Sequence, residues 1–115
     1  MNELTITDNQ IIQDKIYTIR NVQVMLDEDL AVMYGVETKQ LNKSVNRNID
    51  RFPEKFRFQL TKEEYENLRF HFGTSSLDRE HGGRRYLPYV FTEQGVSMLS
   101  AVLRSQTAIE VSIRI

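Results

Sequence analysis

Residues Asp29 to Phe52 read DLAVMYGVETKQLNKSVNRNIDRF, and the rest of the chain is best understood outward from them. Two helices meeting across a tight turn need a small residue where they cross, a glycine four residues later and apolar residues flanking the turn. Ala31 is the small residue, Gly35 the turn, and Leu30, Tyr34 and Val36 the flanking apolars. Leu41 falls where the second helix packs on the first. Ser44 holds the usual next packing position, and Val45 takes over from it. Asp27 reads as the N-cap of the first helix, with Glu28 and Asp29 in the first turn, where the helix dipole favours acids. Leu30, Met33 and Tyr34 then share its apolar face. Gly35 ends this helix, since glycine takes the left-handed conformation without strain. The second helix runs from Glu37–Thr38 to about Asn48, and Phe52–Pro53 breaks the pattern.

That second helix is two-sided. Lys39, Lys43, Arg47 and Arg51 recur every four residues as one cationic stripe. Leu41, Val45 and Ile49 each lie two residues further on, about 200° round the helix. One side is built for burial and the other offers charge to phosphates. Asn42 and Asn46 lie beside the cations, and asparagine can bond an adenine edge bidentately while lysine and arginine pair with guanine or phosphate. Asparagine is a poor helix former that propensity alone would not select. The competing explanation is an ordinary solvated face. The wider charge distribution leans the same way as the stripe: residues 37–57 carry six cations against three acids, whereas residues 1–30 carry six acids against two cations. Such asymmetry suits a nucleic-acid footprint on one face.

Around this core the chain alternates between strand and helix signals. Ile16 to Leu26 reads as a β-hairpin turning at Arg20–Asn21, with a turn type left open because glycine is missing. Phe56 to Leu60 alternates as a strand. Thr61 with Glu64 three residues on is a capping box, which predicts a helix over 62–70 with Tyr65 and Leu68 inward. Residues 71–84 show no periodicity, and a connection that long is functional or disordered. Arg85 to Phe91 reads as a strand, with Pro88 pointing to an edge position or a bulge. Thr92 caps a helix with Val96, Leu99, Val102 and Leu103 as its stripe. Ser105 reads as the cap of a last helix holding Ala108, Ile109 and Ile113, although Val111, Ile113 and Ile115 also alternate like a strand. The fold class is α+β in one small domain: an N-terminal hairpin, a helix-turn-helix, then mixed strands and helices. Residues 1–10 are expected to be flexible and 11–115 to form the domain.

Several chemistries are excluded or weakened. The chain of 115 residues has no cysteine, which removes disulfides, thiolate metal sites and cysteine nucleophiles. Its two histidines, His71 and His81, have no carboxylate pattern around them at ligand spacing, so no metal and no cofactor is expected. Ser75 or Ser76 with His81 lacks a glycine elbow and a paired acid. No apolar run approaches a membrane span, and MNELTITDNQ is not a signal peptide, so a cytoplasmic location is expected. Gly82-Gly83-Arg84-Arg85 offers exposed amides and two cations for a phosphate; a flexible turn explains it equally well. Phe52, Phe56 and Phe58 are spaced like core, and Gly95 in Thr92-Glu93-Gln94-Gly95 reads as a close-packing position.

The motifs LDEDLA (26–31), YGVETKQLN (34–42), NIDRFPE (48–54) and YVFTEQGV (89–96), with GGRRY (82–86), resemble the phage "ORF-six N-terminal" domain family, which is related to the KilA-N and Bro-N domains. Asn21 stands where that family often has glycine. The resemblance implies a DNA-binding regulatory module of phage, prophage and antirepressor-type genes, with no catalytic residues and often a C-terminal effector region. The combined expectation is a non-enzymatic transcription regulator. Its helix of about 38–48 enters the major groove of double-stranded DNA, using Thr38, Lys39, Asn42, Lys43, Asn46, Arg47, Arg51, Arg84 and Arg85. The alternative is an antirepressor-type interaction module that binds a repressor and not DNA. A nuclease fits less well, because Asp27, Glu28 and Asp29 are explained by the helix start. A homodimer through residues about 104–115 is expected, with the C-terminal helix truncated at Ile115 and an effector region beyond it.

Overall fold

A two-residue turn opens the fold. The computed structural model describes residues 13–71 and 86–114, with side chains described for 13–70 and 86–104. Strands β1 (Tyr17–Ile19) and β2 (Val22–Leu26) pair antiparallel with Ile19 opposite Val22. Arg20 and Asn21 both take positive φ, 55° and 65°, the pattern of a type I′ turn that matches the twist of a hairpin. Asparagine tolerates this conformation; arginine does so at a cost. Arg20 is held there by Glu64, whose carboxylate accepts from Nε at 2.8 Å and from Nη2 at 3.0 Å, and by the Phe58 ring 4.2 Å beneath its guanidinium.

β2 passes without a loop into α1 (Asp27–Tyr34), which ends at Gly35 in the left-handed conformation (φ 68°). The amides of Gly35 and Val36 return to Val32 and Ala31. α2 (Thr38–Arg47) follows, then a single 3₁₀ turn (Ile49–Arg51), β3 (Arg57–Gln59), α3 (Lys62–His71), β4 (Tyr89–Thr92) and α4 (Glu93–Arg114). The capping box at α3 forms in both directions: Thr61 N donates to Glu64 and Glu64 N to Thr61 Oγ1. Thr92 Oγ1 likewise accepts from Gly95 N. A Cβ added at Gly95 would lie 1.9 Å from the Phe56 carbonyl oxygen, so glycine there is a packing requirement.

The four strands form one antiparallel sheet in the order β1-β2-β4-β3. Period-two alternation divides its side chains between two cores. Val24, Leu26, Phe58 and Val90 face α3 and pack with Leu60 and Leu68. Met25 and Phe91 face the other way, against Leu30 and Ala31 of α1, Leu41 and Val45 of α2, Phe52, and Leu99 and Val102 of α4. Phe52 meets Phe91 edge-on at 6.0 Å. Helices therefore cover both faces of the sheet, and the wholly antiparallel pairing makes the class α+β.

Five local expectations are corrected. β4 is central, because Pro88 lies just before it and removes no ladder bond; its carbonyl accepts from Leu60 N. Asp27 is the first residue of α1 and not its cap: Leu26 holds the cap position, and the Asp27 side chain is fully buried. The buried face of α1 is Asp27, Leu30 and Ala31, while Met33 and Tyr34 stay 38% and 37% exposed. Ser44 is buried together with Val45, and Ile49 is exposed, because α2 has already ended. No helix break occurs at Ser105; α4 is continuous to Arg114, so neither a second C-terminal helix nor a strand forms there. The expectations for residues 1–10, for the 72–85 segment with His81, and for the side chains of Ala108, Ile109 and Ile113 lie outside the described residues.

Candidate functional site

The cationic face of α2 is set in place by one buried carboxylate. Asp27 Oδ2 accepts from Asn42 Nδ2 at 2.9 Å and from Tyr89 N at 3.3 Å, and Oδ1 accepts from Glu28 N at 2.7 Å. One side chain thus joins the start of α1, the middle of α2 and the start of β4. Burying a carboxylate is costly unless it is bonded on both oxygens, and here both are. Leu41, Ser44 and Val45 turn inward beneath it.

This anchoring points Lys39, Lys43, Asn46 and Arg47 into solvent. Arg51 is exposed too, but on the 3₁₀ turn beyond α2, so the stripe read as one helix is three cations on α2 and one past its end. Thr38 is half-buried at the first position of α2. Asn42 is half-buried with its amide nitrogen engaged by Asp27, and its Oδ1 is buried without a hydrogen-bond partner. Arg84 and Arg85 lie outside the described residues. Among the described residues, none of Lys39, Lys43, Arg47 and Arg51 has a carboxylate within ion-pair distance. The ion pairs there, Lys15–Asp29 at 3.9 Å and Arg20–Glu64 at 2.8 Å, lie elsewhere.

Next to α2 runs a groove of about 660 Å³. Thr38, Lys39, Asn42, Lys43 and Asn46 line its α2 wall. Gln59 of the edge strand β3, with Tyr86 and Leu87, lines the other, and Gln59 Nε2 donates to the Leu87 carbonyl. Arg57 and Tyr89 complete the lining. Arg57 sits opposite Phe91 in the ladder, on the α2 side of the sheet. It is 8% exposed, its guanidinium lies 3.7 Å over the Tyr89 ring, and its Nε is buried without a hydrogen-bond partner. Burial pushes the pKa of Arg57 down, against the opposing influence of Tyr89 and Asp27. Arg47 and Arg51 do not line the groove.

Reading strand 56–60 as a simple alternation makes Arg57 a solvent-facing residue. The sheet is covered on both faces, so Arg57 is buried as Phe58 is. The available signal was an arginine in register with apolar positions of a central strand, visible only once the pairing with Phe91 is known. Among the described residues no group of three or more histidines, aspartates and glutamates could hold a metal, and no helix is long and apolar enough to cross a membrane. Comparison with protein families gives one result of weight: the model of the ORF6N domain matches residues 14–102. No curated protein and no solved structure matches the chain.

Proposed function

The chain belongs to the ORF6N domain family, a phage-type, non-enzymatic domain family, and from that premise we propose that it is a duplex-DNA-binding regulatory domain of phage or prophage type, with α1 and α2 as its helix-turn-helix. The observation that carries this is the face of α2: Lys39, Lys43 and Arg47 exposed, with no carboxylate paired to them among the described residues. Three unneutralised cations on a rigidly anchored helix release counterions when they meet phosphates, and that release dominates affinity for DNA. A helix of ten residues is roughly 15 Å long and of a diameter that the major groove admits.

In this reading Lys39, Lys43 and Arg47 hold phosphates or guanines, with Arg51 beyond them and Arg84 and Arg85 on the backbone nearby. Asn46 reads a base. Asn42 has its donor engaged by Asp27, so it contributes chiefly by holding α2 in position. A ten-residue reading helix offers few base contacts, and two copies related by a twofold axis are the usual remedy; the domain is therefore proposed to act as a homodimer in transcription regulation. Fluorescence anisotropy with labelled mixed-sequence duplexes, repeated across salt concentrations, tests the reading. Binding at low micromolar protein or below, with log affinity falling linearly in log salt, is expected. Absence of salt-dependent binding to any duplex defeats it and leaves the antirepressor reading, in which the same face docks on a repressor.

A further inference from the structure

The groove beside α2 holds a buried charge that Tyr89 and Asp27 favour but whose Nε–H the fold leaves without a partner. Arg57 is more than nine-tenths buried, yet no carboxylate among the described residues lies within ion-pair distance of it, and its Nε has no hydrogen-bond partner. Asp27, also fully buried, is engaged by Asn42, Tyr89 N and Glu28 N. A buried guanidinium with a free donor is costly. Stacking on Tyr89 offsets part of that cost. The side chain lies in the lining of the groove, where Lys39 and Lys43 stand on the α2 wall and no described lining residue is acidic. Three cations line the concavity, and Asp27, the carboxylate behind it, has both oxygens engaged by Asn42, Tyr89 N and Glu28 N, an arrangement that favours an anion in the groove. The planar guanidinium fork matches phosphate oxygens better than an ammonium does.

We propose that this groove is a phosphate subsite, in which one backbone phosphate of the bound duplex is held between Lys39 and Lys43 on the wall and Arg57 in the recess. The proposal rests on the DNA-binding reading of α2 and adds to it a fixed point. A phosphate seated against Arg57, on the rigid sheet, sets how deep α2 lies in the DNA groove and which base Asn46 reaches. Gln59 and Tyr86, on the opposite wall, limit how the strand can shift along it.

Side-chain ¹H–¹⁵N spectra of the 115-residue chain test this, because the Arg57 Nε–H reports its own hydrogen bonding. Titration with a short mixed-sequence duplex is expected to move the Arg57 Nε–H signal together with the α2 backbone amides. Arg57→Gln is expected to weaken duplex binding about tenfold and to lower the log–log salt slope by about 0.9, one phosphate contact. If the α2 amides move and the Arg57 signal stays, the DNA reading stands and the subsite is wrong. If neither moves, the DNA reading itself fails, and the subsite with it. Inorganic phosphate alone provides the control arm. If it moves the Arg57 signal at concentrations where duplex does not, the groove belongs to a small free anion and its placement on DNA is overturned. Should Arg57→Gln fail to fold, the titrations of the unaltered chain decide the matter without it.

Discussion

α2 and α3 are both ten residues long and lie on opposite faces of one sheet, yet their charges have opposite fates. On α3 one charge, Glu64, is turned back onto the protein, while Lys62, Glu63 and Glu66 stay exposed. Glu64 closes the cap with Thr61 and grips Arg20 of the hairpin turn. On α2 the attachment is made from beneath, by Asp27 and the apolar side, and the cations are left outward. The charges α3 leaves outward are of mixed sign, two acids and one lysine, whereas those of α2 are all cations. A helix held by a buried carboxylate keeps its outer cations free, and the proposed DNA-binding reading of α2 rests on that difference.

The comparison is broken most severely by removing the buried anchor. Asp27→Ala leaves Asn42 Nδ2 and the amides of Tyr89 and Glu28 without their acceptor, and a loss of about 3 kcal/mol is expected. Urea denaturation measures it; a loss below about 1 kcal/mol would mean that apolar packing alone holds α2. Next comes the outer face. Lys43→Ala with Arg47→Ala is expected to leave stability within about 0.5 kcal/mol, to weaken duplex binding roughly 10- to 100-fold and to lower the salt slope by about 1.8. Lys62→Ala on α3 serves as its counterpart and is expected to change neither. Equal effects from the two helices would erase the distinction between them.

The smallest effect sharpens the α3 side. Hydrogen bonding to Arg20, above all, holds the Glu64 carboxyl at a pKa of about 2, below its ordinary 4.5. A depressed carboxylate stabilises the fold above its unfolded pKa, and the contribution disappears as pH falls from about 4.5 toward 2. The pair is partly solvated, so screening limits it to about 1 kcal/mol. Denaturation of Glu64→Gln against the unaltered chain is expected to show that gap at pH 7 and to show it closing by pH 2. A gap that persists at pH 2 would assign it to packing.

What could be read in the sequence and what could not divide along the same physical line. The hairpin, the Gly35 turn, the capping box at Thr61 and the Thr92 cap are local, decided within a few residues, and all were legible; Gly95 was legible as a close-packing position, but its partner, the Phe56 carbonyl, was not. Burial in this molecule depends on partners far along the chain. Asp27 looks like a helix cap until Tyr89, 62 residues away, donates to it. Arg57 looks solvent-exposed until Phe91 pairs with it. Pro88 looks like an edge marker until β4 is found between β2 and β3. The α2 cations were identifiable by spacing alone; the groove that gathers Lys39, Lys43 and Arg57 was not, because it exists only between an early helix and a sheet edge completed late.

That central position of β4 also dictates the order in which the domain can come into being. β2 and β3 do not pair with each other; each pairs with β4. A ribosome has therefore released the hairpin, α1, α2, β3 and α3 before the strand that unites them is made. Until then both apolar faces of the incomplete sheet lack their middle, and the non-local pairing that follows is of the slow kind. Asp27 can bond Asn42 and Glu28 within the helix pair, but the third bond of the anchor, from Tyr89 N, and the sheet face against which α1 and α2 pack are complete only once β4 is in place.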